Sequence, residues 1–229
     1  MNVQPVNSTN FKAIPIAKIN INGIKNQYKL YEITKNDIGF LNNFYKNLDL
    51  KTLMPNLKDY EYVAWDGVIQ NLVEVAVKNG RKTIMETLDG KLCGLLNYKE
   101  YPLKFHVNYV ATVPVEPKTK VPFAGQILFN EFFRRLLDSC IDKAELNALK
   151  YSAFSPITKY IKLGFKSIGG DNQIESMRIY RENIIETFKK QNKFIHYNNE
   201  IEKEEIFFGD NKKTGSFLNR LPFLLIKKP

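Results

Sequence analysis

A short segment between an apolar run and a helix-like run has the residue types that bind phosphate. Residues 105–113 are apolar and strand-like, and residues 124–140 have helical periodicity. Where a strand turns directly into a helix, the first helical turn presents unpaired N–H groups and a partial positive charge. Lys120 lies in this turn and Gly125 in the first helical turn, and both suit a pyrophosphate. The segment predicts a phosphate-binding turn, with limited specificity because strand-to-helix turns are common.

Other kinds of catalytic chemistry have no matching pattern in this sequence. Two histidines, His106 and His196, and two scattered cysteines do not make a metal site. No Ser-His-Asp order and no P-loop spacing occurs. We interpret His106 as a core or surface histidine. The cysteines, Cys93 and Cys140, each lie in an apolar setting, which predicts buried reduced thiols and a cytoplasmic protein.

Composition limits the remaining classes of protein. The 229 residues, 44% apolar and 25% charged, predict one globular domain with or without extensions. No window approaches the roughly 18 uncharged apolar residues of a membrane helix, so no membrane association is expected. The net charge of +10 lies mainly in residues 1–58 and 189–229. Because no run of Lys or Arg exceeds two residues, this charge favours attraction of a polyanionic cofactor over nucleic-acid binding, which remains the alternative.

Periodicity and turn residues predict the elements that hold the phosphate-binding turn in place. Asp89-Gly90 is a strong hairpin signal, and Asn79-Gly80 ends a helix. The predicted order is β-α-α-β-β-β-α-β-α-β-β. It gives an α/β fold, a six- to seven-stranded mixed sheet with helices on both faces. In chain order the elements are strand 28–33, helix 34–48, helix 60–78, strands 82–88, 91–98 and 104–113, helix 124–140, strand 145–149, helix 155–163, and strands 165–168 and 174–180.

The same patterns divide the chain into three parts. Residues 28–181 carry the predicted domain. Residues 1–27 are an N-terminal extension, in which residues 1–10 are predicted to be disordered and residues 11–22 to add a peripheral strand. Residues 182–229 form a basic C-terminal extension that begins with a polar helix.

Two motifs in this order resemble those of the GNAT acyltransferases (GCN5-related N-acetyltransferases). That family joins its fourth strand to its third helix by V-x-P-E-x-Q/R-x-x-G-x-G/A. Its next strand is followed by a short helix that ends in Tyr-x-x-x-Gly-Phe, which here is residues 160–165. A closing hairpin follows, and the resemblance covers about residues 28–181. The residues that fall in register with the first motif are Val115, Pro117, Lys120, Ala124 and Gly125.

The resemblance implies an acetyl-CoA-dependent N-acetyltransferase without a metal, in which an unidentified primary amine attacks the thioester directly. Parallel strands 104–116 and 145–149 are expected to splay where Pro114 interrupts pairing, so that free main chain pairs with pantetheine. The pyrophosphate would lie against the first amides of the following helix. The implied site residues are Tyr160 as the general acid for the departing thiolate, and Val113, Val115, Lys120, Phe123, Ala124, Gly125 and Gln126 for acetyl-CoA.

The phosphate turn departs from the family pattern at Pro122-Phe123. Phe123 replaces the family's first glycine and resists a positive φ, and Pro122 has no N–H to donate. Losing one or two hydrogen bonds of about 0.5–1.5 kcal/mol each would weaken CoA binding without abolishing it. The alternative hypothesis is a degenerate GNAT-shaped module that binds a partner or nucleic acid without catalysis.

The general base and the acceptor pocket have no clear signature. Some members of the family carry a glutamate where this chain has Tyr109, and Glu86 and Glu116 are the remaining nearby acids. A water chain is the alternative to a side-chain base. Tyr160 has packing under the sheet as its competing interpretation. Three aromatic residues either line an acceptor pocket or, in the favoured interpretation, belong to the core and its rim: Tyr60, Tyr62 and Trp65.

Overall fold

The computed structural model describes residues 12–150, 156–191 and 195–198, and within these ranges the chain forms nine strands and six α-helices. The strands are β1 (Ile14–Ile21), β2 (Tyr28–Glu32), β3 (Arg81–Leu88), β4 (Lys91–Tyr101), β5 (Lys104–Thr112), β6 (Lys143–Leu149), β7 (Lys166–Gly170), β8 (Ile174–Tyr180) and β9 (Ile195–Asn198). The helices are α1 (Ile38–Lys46), α2 (Leu50–Leu53), α3 (Asp59–Val75), α4 (Ala124–Leu137), α5 (Pro156–Lys162) and α6 (Arg181–Gln191).

All nine strands belong to one mixed sheet, in the order β7-β8-β6-β5-β4-β3-β2-β1-β9. Neighbouring strands run antiparallel except β5 and β6, which run parallel. A parallel pair requires a crossover connection, and α4 provides it. The α/β fold predicted from the sequence is confirmed, with helices on both faces of the sheet.

Two apolar clusters cover the two faces of the sheet. On one face α4, with side chains of α5 and α6, packs against the sheet. On the other face α1, α2 and α3 pack against β2 to β5. Helix α4 is buried almost all round, as its apolar sequence predicts, and its rings Phe129, Phe132 and Phe133 contact one another. We call these the α4 face and the α3 face.

The sheet extends into both segments predicted as extensions. Strand β1 lies within residues 1–27, and β9 lies within residues 182–229 and pairs with β1. The seven strands β2 to β8 match the predicted order, and these two additions bring the sheet to nine. The three-part division of the chain stays a prediction, and the disorder predicted at residues 1–10 lies outside the described residues.

Local signals in the sequence account for several boundaries. Asp89 and Gly90 have φ of 49° and 79°, as the predicted β3–β4 hairpin turn requires.

The thiol of Cys93 is buried, as predicted, but Cys140 is exposed, so that prediction is wrong for the second cysteine. The apolar helix ends at Leu137, and Cys140 lies beyond it in the connection to β6.

A carboxyl group is buried between the sheet and α4. Glu86, on β3, has no exposed surface, and within the described residues neither carboxyl oxygen has a hydrogen-bond partner. Burial raises the pKa of Glu86 well above its ordinary value, which favours the protonated form of the carboxyl. Opposite it on β4, a Cβ on Gly94 would be 2.9 Å from Glu86 Oε2 and 2.9 Å from Leu128 Cδ1. The missing side chain at Gly94 therefore leaves the space that the carboxyl occupies.

Replacing Glu86 by Gln should change how stability depends on pH. Above about pH 4.3 the unfolded chain releases the Glu86 proton while the folded protein keeps it, so wild-type stability falls as pH rises, by at most about 1.4 kcal/mol per unit. The variant lacks this slope. Urea denaturation should show the free energy of unfolding of Glu86→Gln rising relative to that of the wild type between pH 5 and pH 7, by at most about 3 kcal/mol.

The control for this prediction is Glu100→Gln, which removes a carboxylate that pairs with Lys82 at the surface, 2.7 Å away. Its stability curve should run parallel to that of the wild type, because exposed pairs contribute little. If the Glu86→Gln curve also ran parallel to that of the wild type, the inference that burial raises the pKa of Glu86 would be wrong.

Candidate functional site

The parallel strands β5 and β6 pair over a short distance and then diverge. Three residue pairs join them, Phe105 with Ala144, His106 with Glu145 and Val107 with Leu146. Beyond these pairs β5 stays paired with β4, and β6 stays paired with β8. We call the opening between residues 108–112 of β5 and residues 147–149 of β6 the fork. The splay predicted from the sequence is present.

The cause predicted for the splay is wrong. Pairing ends after Val107, well before Pro114, so the proline does not open the fork. The β4–β5 register instead shifts at this point: Asn97 pairs with Tyr109 and Tyr98 with Val107, which leaves Asn108 as an extra residue. A bulge of this kind bends its strand and disrupts the ladder locally. Asn108 Nδ2 donates to Asn97 Oδ1 at 3.0 Å, which fixes the bulge against β4.

The turn that follows β5 is fastened to the protein at several points. The Tyr28 hydroxyl donates to the Pro122 carbonyl at 2.6 Å. The Lys118 N–H donates to the Leu53 carbonyl at 3.1 Å. At the surface, Lys91 Nζ lies 3.3 Å from Glu116 Oε1. These contacts hold the turn between β5 and α4 in one position relative to the sheet.

Phe123 adopts the conformation that the family's glycine would adopt. It caps the N-terminus of α4 with φ of 60° and ψ of 0°, in the left-handed region. Its carbonyl accepts the first helical hydrogen bond, from Ile127 N–H at 2.9 Å. The amides of Ala124, Gly125 and Gln126 precede that bond, so they form the N–H groups of the first turn. Phe123 therefore holds the positive φ that a phenylalanine side chain disfavours.

The first turn of α4 lies beside the mouth of the fork. A Cβ on Gly125 would contact only Thr112 Cγ2, at 3.9 Å, so the space above this glycine is open. Lys120 is exposed in the preceding turn, and among the described residues its ammonium group forms no ion pair. Residues 120–126, which we call the cradle, thus combine an exposed cation with first-turn amides. Such a combination is suited to an anionic group.

The main-chain contact predicted at Val113 requires correction. Its N–H donates to the Cys93 carbonyl at 2.8 Å and is therefore occupied by β4. Main-chain groups alternate sides along a strand, so Val110 and Thr112 direct theirs towards the fork. Sequence reasoning missed these two because the register of β5 against β4 is not readable from residue types. Val115, half-buried beyond the end of β5, stays a prediction.

Tyr160 lies on α5 at the α4 face of the sheet. Its ring packs against Phe129 and Phe165, with centroids 5.6 Å and 6.1 Å away. Its carbonyl accepts the Phe165 N–H at 3.0 Å, while the Gly164 N–H donates to Ile161 at 2.9 Å. Gly164 has φ of 96°. The Tyr-x-x-x-Gly-Phe spacing is therefore a Schellman motif that ends the helix.

The hydroxyl group of Tyr160 is not used by this packing. Within the described part of the chain this hydroxyl has no hydrogen-bond partner. Burial raises the pKa of Tyr160 to about 12. A phenol with this pKa carries its proton at every physiological pH. The group is a hydrogen-bond donor that the described fold itself leaves unused.

The residues considered as a base occupy different places. Glu86 lies enclosed on the α4 face, and Glu116 is exposed in the turn beside Lys91. Tyr109 is half-buried on the α3 face. Of the three aromatic residues considered for an acceptor pocket, Trp65 and Tyr62 pack on the α3-face core, whereas Tyr60 is 56% exposed. Their role in binding an acceptor stays a prediction.

A separate open cavity of about 890 Å³ lies at the other end of the sheet, where β5 begins and α4 ends. Tyr98, Tyr101 and Arg135 contribute to its lining, and none of the predicted site residues does.

Among the described residues, no three side chains of His, Cys, Asp or Glu gather as a metal-binding group. No helix in the described ranges combines the length and apolar composition needed to cross a bilayer.

No protein-family model and no curated protein matches the chain. Solved structures do resemble it. An uncharacterised protein from Bacillus halodurans aligns with a TM-score of 0.51 and 12% identity, over 80% of this chain and 100% of that one. The PaiA N-acetyltransferase from Thermoplasma acidophilum, in complex with coenzyme A, aligns with a TM-score of 0.48 and 15% identity, over 67% of this chain and 98% of that one. The ribosomal-protein-S18-alanine N-acetyltransferase from Escherichia coli aligns with a TM-score of 0.45 and 12% identity, over 67% of this chain and 93% of that one.

At these identities the similarity concerns the fold alone. The strand order, the parallel pair that diverges into the fork, and the helix that begins at its mouth are the features that the resemblance predicted. The chain therefore has a mixed α/β fold, and it shares this architecture with the Bacillus halodurans protein.

Proposed function

We propose that this protein is an acetyl-CoA-dependent N-acyltransferase that transfers an acyl group to a primary amine. The observation that carries the proposal is the fork with the cradle at its mouth. A slender chain that contains amides fits between two diverging strands, and an anionic group at its end meets the cradle. Pantetheine with its pyrophosphate has this combination of groups.

The main chain of β5 supports binding of the pantetheine arm. Val110 and Thr112 present N–H and C=O groups to the fork, and an amide-containing ligand can pair with them as an added strand. At the mouth, the amides of Ala124, Gly125 and Gln126 would face the pyrophosphate, with Lys120 adding a charge-assisted contact. Pro122 contributes no donor, so the cradle relies on the helix amides.

The chemistry proposed is direct aminolysis of the thioester. The amine nitrogen forms a bond to the acyl carbon, the carbon–sulfur bond breaks, and its electron pair leaves on sulfur. Holding the two reactants in line supplies much of the rate enhancement. Tyr160, with its unused hydroxyl, would donate a hydrogen bond to the departing thiolate and deliver the proton that yields free CoA.

Acetyl-CoA should stabilise the protein against heat. A ligand at a hundred times its dissociation constant adds about 2.7 kcal/mol, which for a domain of this size raises Tm by roughly 5–10 °C. The measurement is a thermal shift in acetyl-CoA, free CoA, ATP and buffer at millimolar concentration. ATP tests whether phosphate and adenine suffice without pantetheine. No shift with either CoA compound would leave the non-catalytic binding module as the better description.

Tyr160→Phe should lower turnover while CoA affinity is retained. Removing the hydroxyl takes away the donor to sulfur, and general acid catalysis typically contributes about 10²-fold or more. The assay is release of CoA thiol in a screen of primary amines, with binding followed separately by thermal shift. Tyr101→Phe, which alters an exposed tyrosine at the other end of the sheet, is the matched control. Equal turnover of Tyr160→Phe and the wild type would limit Tyr160 to its packing role.

Phe123→Gly should tighten CoA binding and should be more stable than Phe123→Ala. Both variants remove the ring from the cradle, but only glycine relieves the left-handed conformation, which costs an L-residue about 1–2 kcal/mol. The measurements are urea denaturation and CoA titration of both variants. An alanine variant as stable as the glycine variant would mean that the positive φ is not held in solution.

A further inference from the structure

The fork divides the site into two sides with different chemistry. Phe105 and Val107 direct their side chains to the α4-face core, so His106, between them, lies on the α3 face. His106 belongs to the second of the three pairs that join β5 to β6, one residue before the fork opens. His106 is half-buried, while Asn147, just across the fork on β6, is exposed. A polar side chain therefore lies at the base of the fork on the side opposite α4.

The two ring nitrogens of His106 have different surroundings. Nδ1 is buried, and within the described residues it has no hydrogen-bond partner. A histidine with a structural role in a core is normally held by hydrogen bonds to its ring nitrogens. Nδ1 of His106 makes no such bond among the described residues. Nε2 is not among the buried unpartnered atoms. The imidazole is thus held at the fork without serving the described fold through a hydrogen bond.

The charged groups around His106 come from three strands. Lys99 of β4 and Lys104 of β5 are its register and same-strand neighbours, and Glu145 of β6 is its partner in the parallel pair. Glu145 is already bound by Lys104 and by Arg178 of β8, whose Nε lies 2.8 Å from Glu145 Oε1. Although burial acts in the other direction, these hydrogen bonds hold the pKa of Glu145 below its usual value.

Two acids of α3, the helix that packs on this face, accept hydrogen bonds. Glu61 accepts the Lys58 N–H at 2.9 Å, and Asp66 accepts the Tyr45 hydroxyl at 3.2 Å. Burial, reinforced by Lys104 and opposed by Glu145, lowers the pKa of His106. Its imidazole is therefore uncharged at neutral pH, and it can accept a proton.

We propose that His106 is the proton acceptor for the incoming amine. The inference rests on the proposed function, because it assigns the base of that same reaction. As the amine nitrogen bonds to the acyl carbon it becomes cationic, and His106 takes the surplus proton at Nε2, directly or through one water. The carbon–sulfur electron pair leaves on the opposite side, where Tyr160 supplies a proton. His106 returns its proton to solvent and Tyr160 regains one, so the net reaction is amine plus thioester to amide plus thiol.

The remaining candidates are worse placed for this role. Glu86 is enclosed on the α4 face, and burial raises its pKa, which favours the protonated form. Glu116 is in the turn, beside Lys91, and Tyr160 is on the leaving-group side. Tyr109, on the α3 face, is a phenol and holds its proton at neutral pH. Of these described candidates, His106 is the one on the α3 face of the fork that is uncharged and basic near pH 7.

The test uses the fact that the whole chain contains only two histidines. His196 lies on β9, where Nε2 is 3.1 Å from Asn22 Oδ1, so His196→Gln is a matched control far along the sheet from the fork. In NMR spectra of the full chain, His106→Gln and His196→Gln assign the two imidazole signals. Adding acetyl-CoA to the wild type should shift the His106 signals and leave those of His196 in place.

The kinetic arm uses four named probes: spermidine, kanamycin, Nα-acetyl-lysine and a peptide with an N-terminal alanine. With whichever probe the wild type acetylates, His106→Gln should lower kcat/KM at pH 7 by about 10²-fold or more, with an unchanged thermal shift by acetyl-CoA. The pH–rate profile of the wild type should fall below the His106 pKa measured by NMR, and the variant should lose that limb. His196→Gln should match the wild type throughout.

Each result decides between the two proposals. If acetyl-CoA fails to stabilise the wild type, the proposed function falls and His106 falls with it. If acetyl-CoA binds but the His106 signals do not respond, the proton-acceptor role is wrong while acetyl-CoA binding stands, whether or not a probe is acetylated. If a probe is acetylated and His106→Gln keeps both the rate and the acid limb, the base is another group and the transferase proposal stands.

Discussion

The site depends on how few residues join β5 to β6. Three pairs hold together two sheet halves that are each fully paired within themselves. With more pairs, the main chain of Val110 and Thr112 would bond to β6 and no ligand could enter. With none, the halves would lose the register that sets the width of the fork. Backbone N–H and C=O groups left unpaired inside a sheet cost free energy unless a hydrogen-bonding partner pairs with them. The short ladder therefore leaves main-chain groups that a hydrogen-bonding ligand can pair with.

The bulge at Asn108 explains why the ladder stops where it does. An extra residue in β5 turns the following main chain and breaks its alignment with β6 without disturbing the β4 side, since Val113 N–H still reaches Cys93. The Asn108–Asn97 hydrogen bond ties the bulge to a buried polar group that also binds Thr83 Oγ1 at 2.8 Å. The geometry of the fork is therefore fixed from β4, the most extensively paired part of the sheet, and not from the loop that follows β5.

Particular residues show how far the sequence predicts this protein. Asp89-Gly90, the apolar helix α4 and the Tyr160–Phe165 spacing act through local conformation, so the sequence predicts the hairpin, the crossover helix and the helix end. The fork itself was predicted, but its cause was assigned to Pro114. Asn108 carries no mark of a bulge, because a bulge depends on the register of two strands far apart in the chain.

The predicted site residues differ in how far the sequence could place them. The position of Lys120 and residues 123–126 at a helix start follows from local sequence, and their role in binding stays a prediction, whereas the main-chain contact at Val113 required the strand register, which the sequence does not give. His106 was set aside because a single histidine has no spacing to interpret. Its distinguishing features, a face of the sheet and an unpartnered nitrogen, exist only in three dimensions. The proposed base and acid also lie on opposite faces of the sheet, a separation that residue types alone do not show.

The cradle obtains its rigidity from the core and not from its own residue types. Phe123 in a left-handed conformation costs about 1–2 kcal/mol relative to glycine, and its backbone is nevertheless placed as a glycine would be. Helix α4 is buried almost all round, so it cannot rotate to relieve that cost without exposing Phe129, Phe132 and Phe133. Burial of one such ring contributes about 1.5–3 kcal/mol, which exceeds the strain. The same packing that tolerates phenylalanine in place of glycine keeps the first-turn amides aligned with the fork. The space beside Gly125 stays open, so no side chain of the described fold packs there.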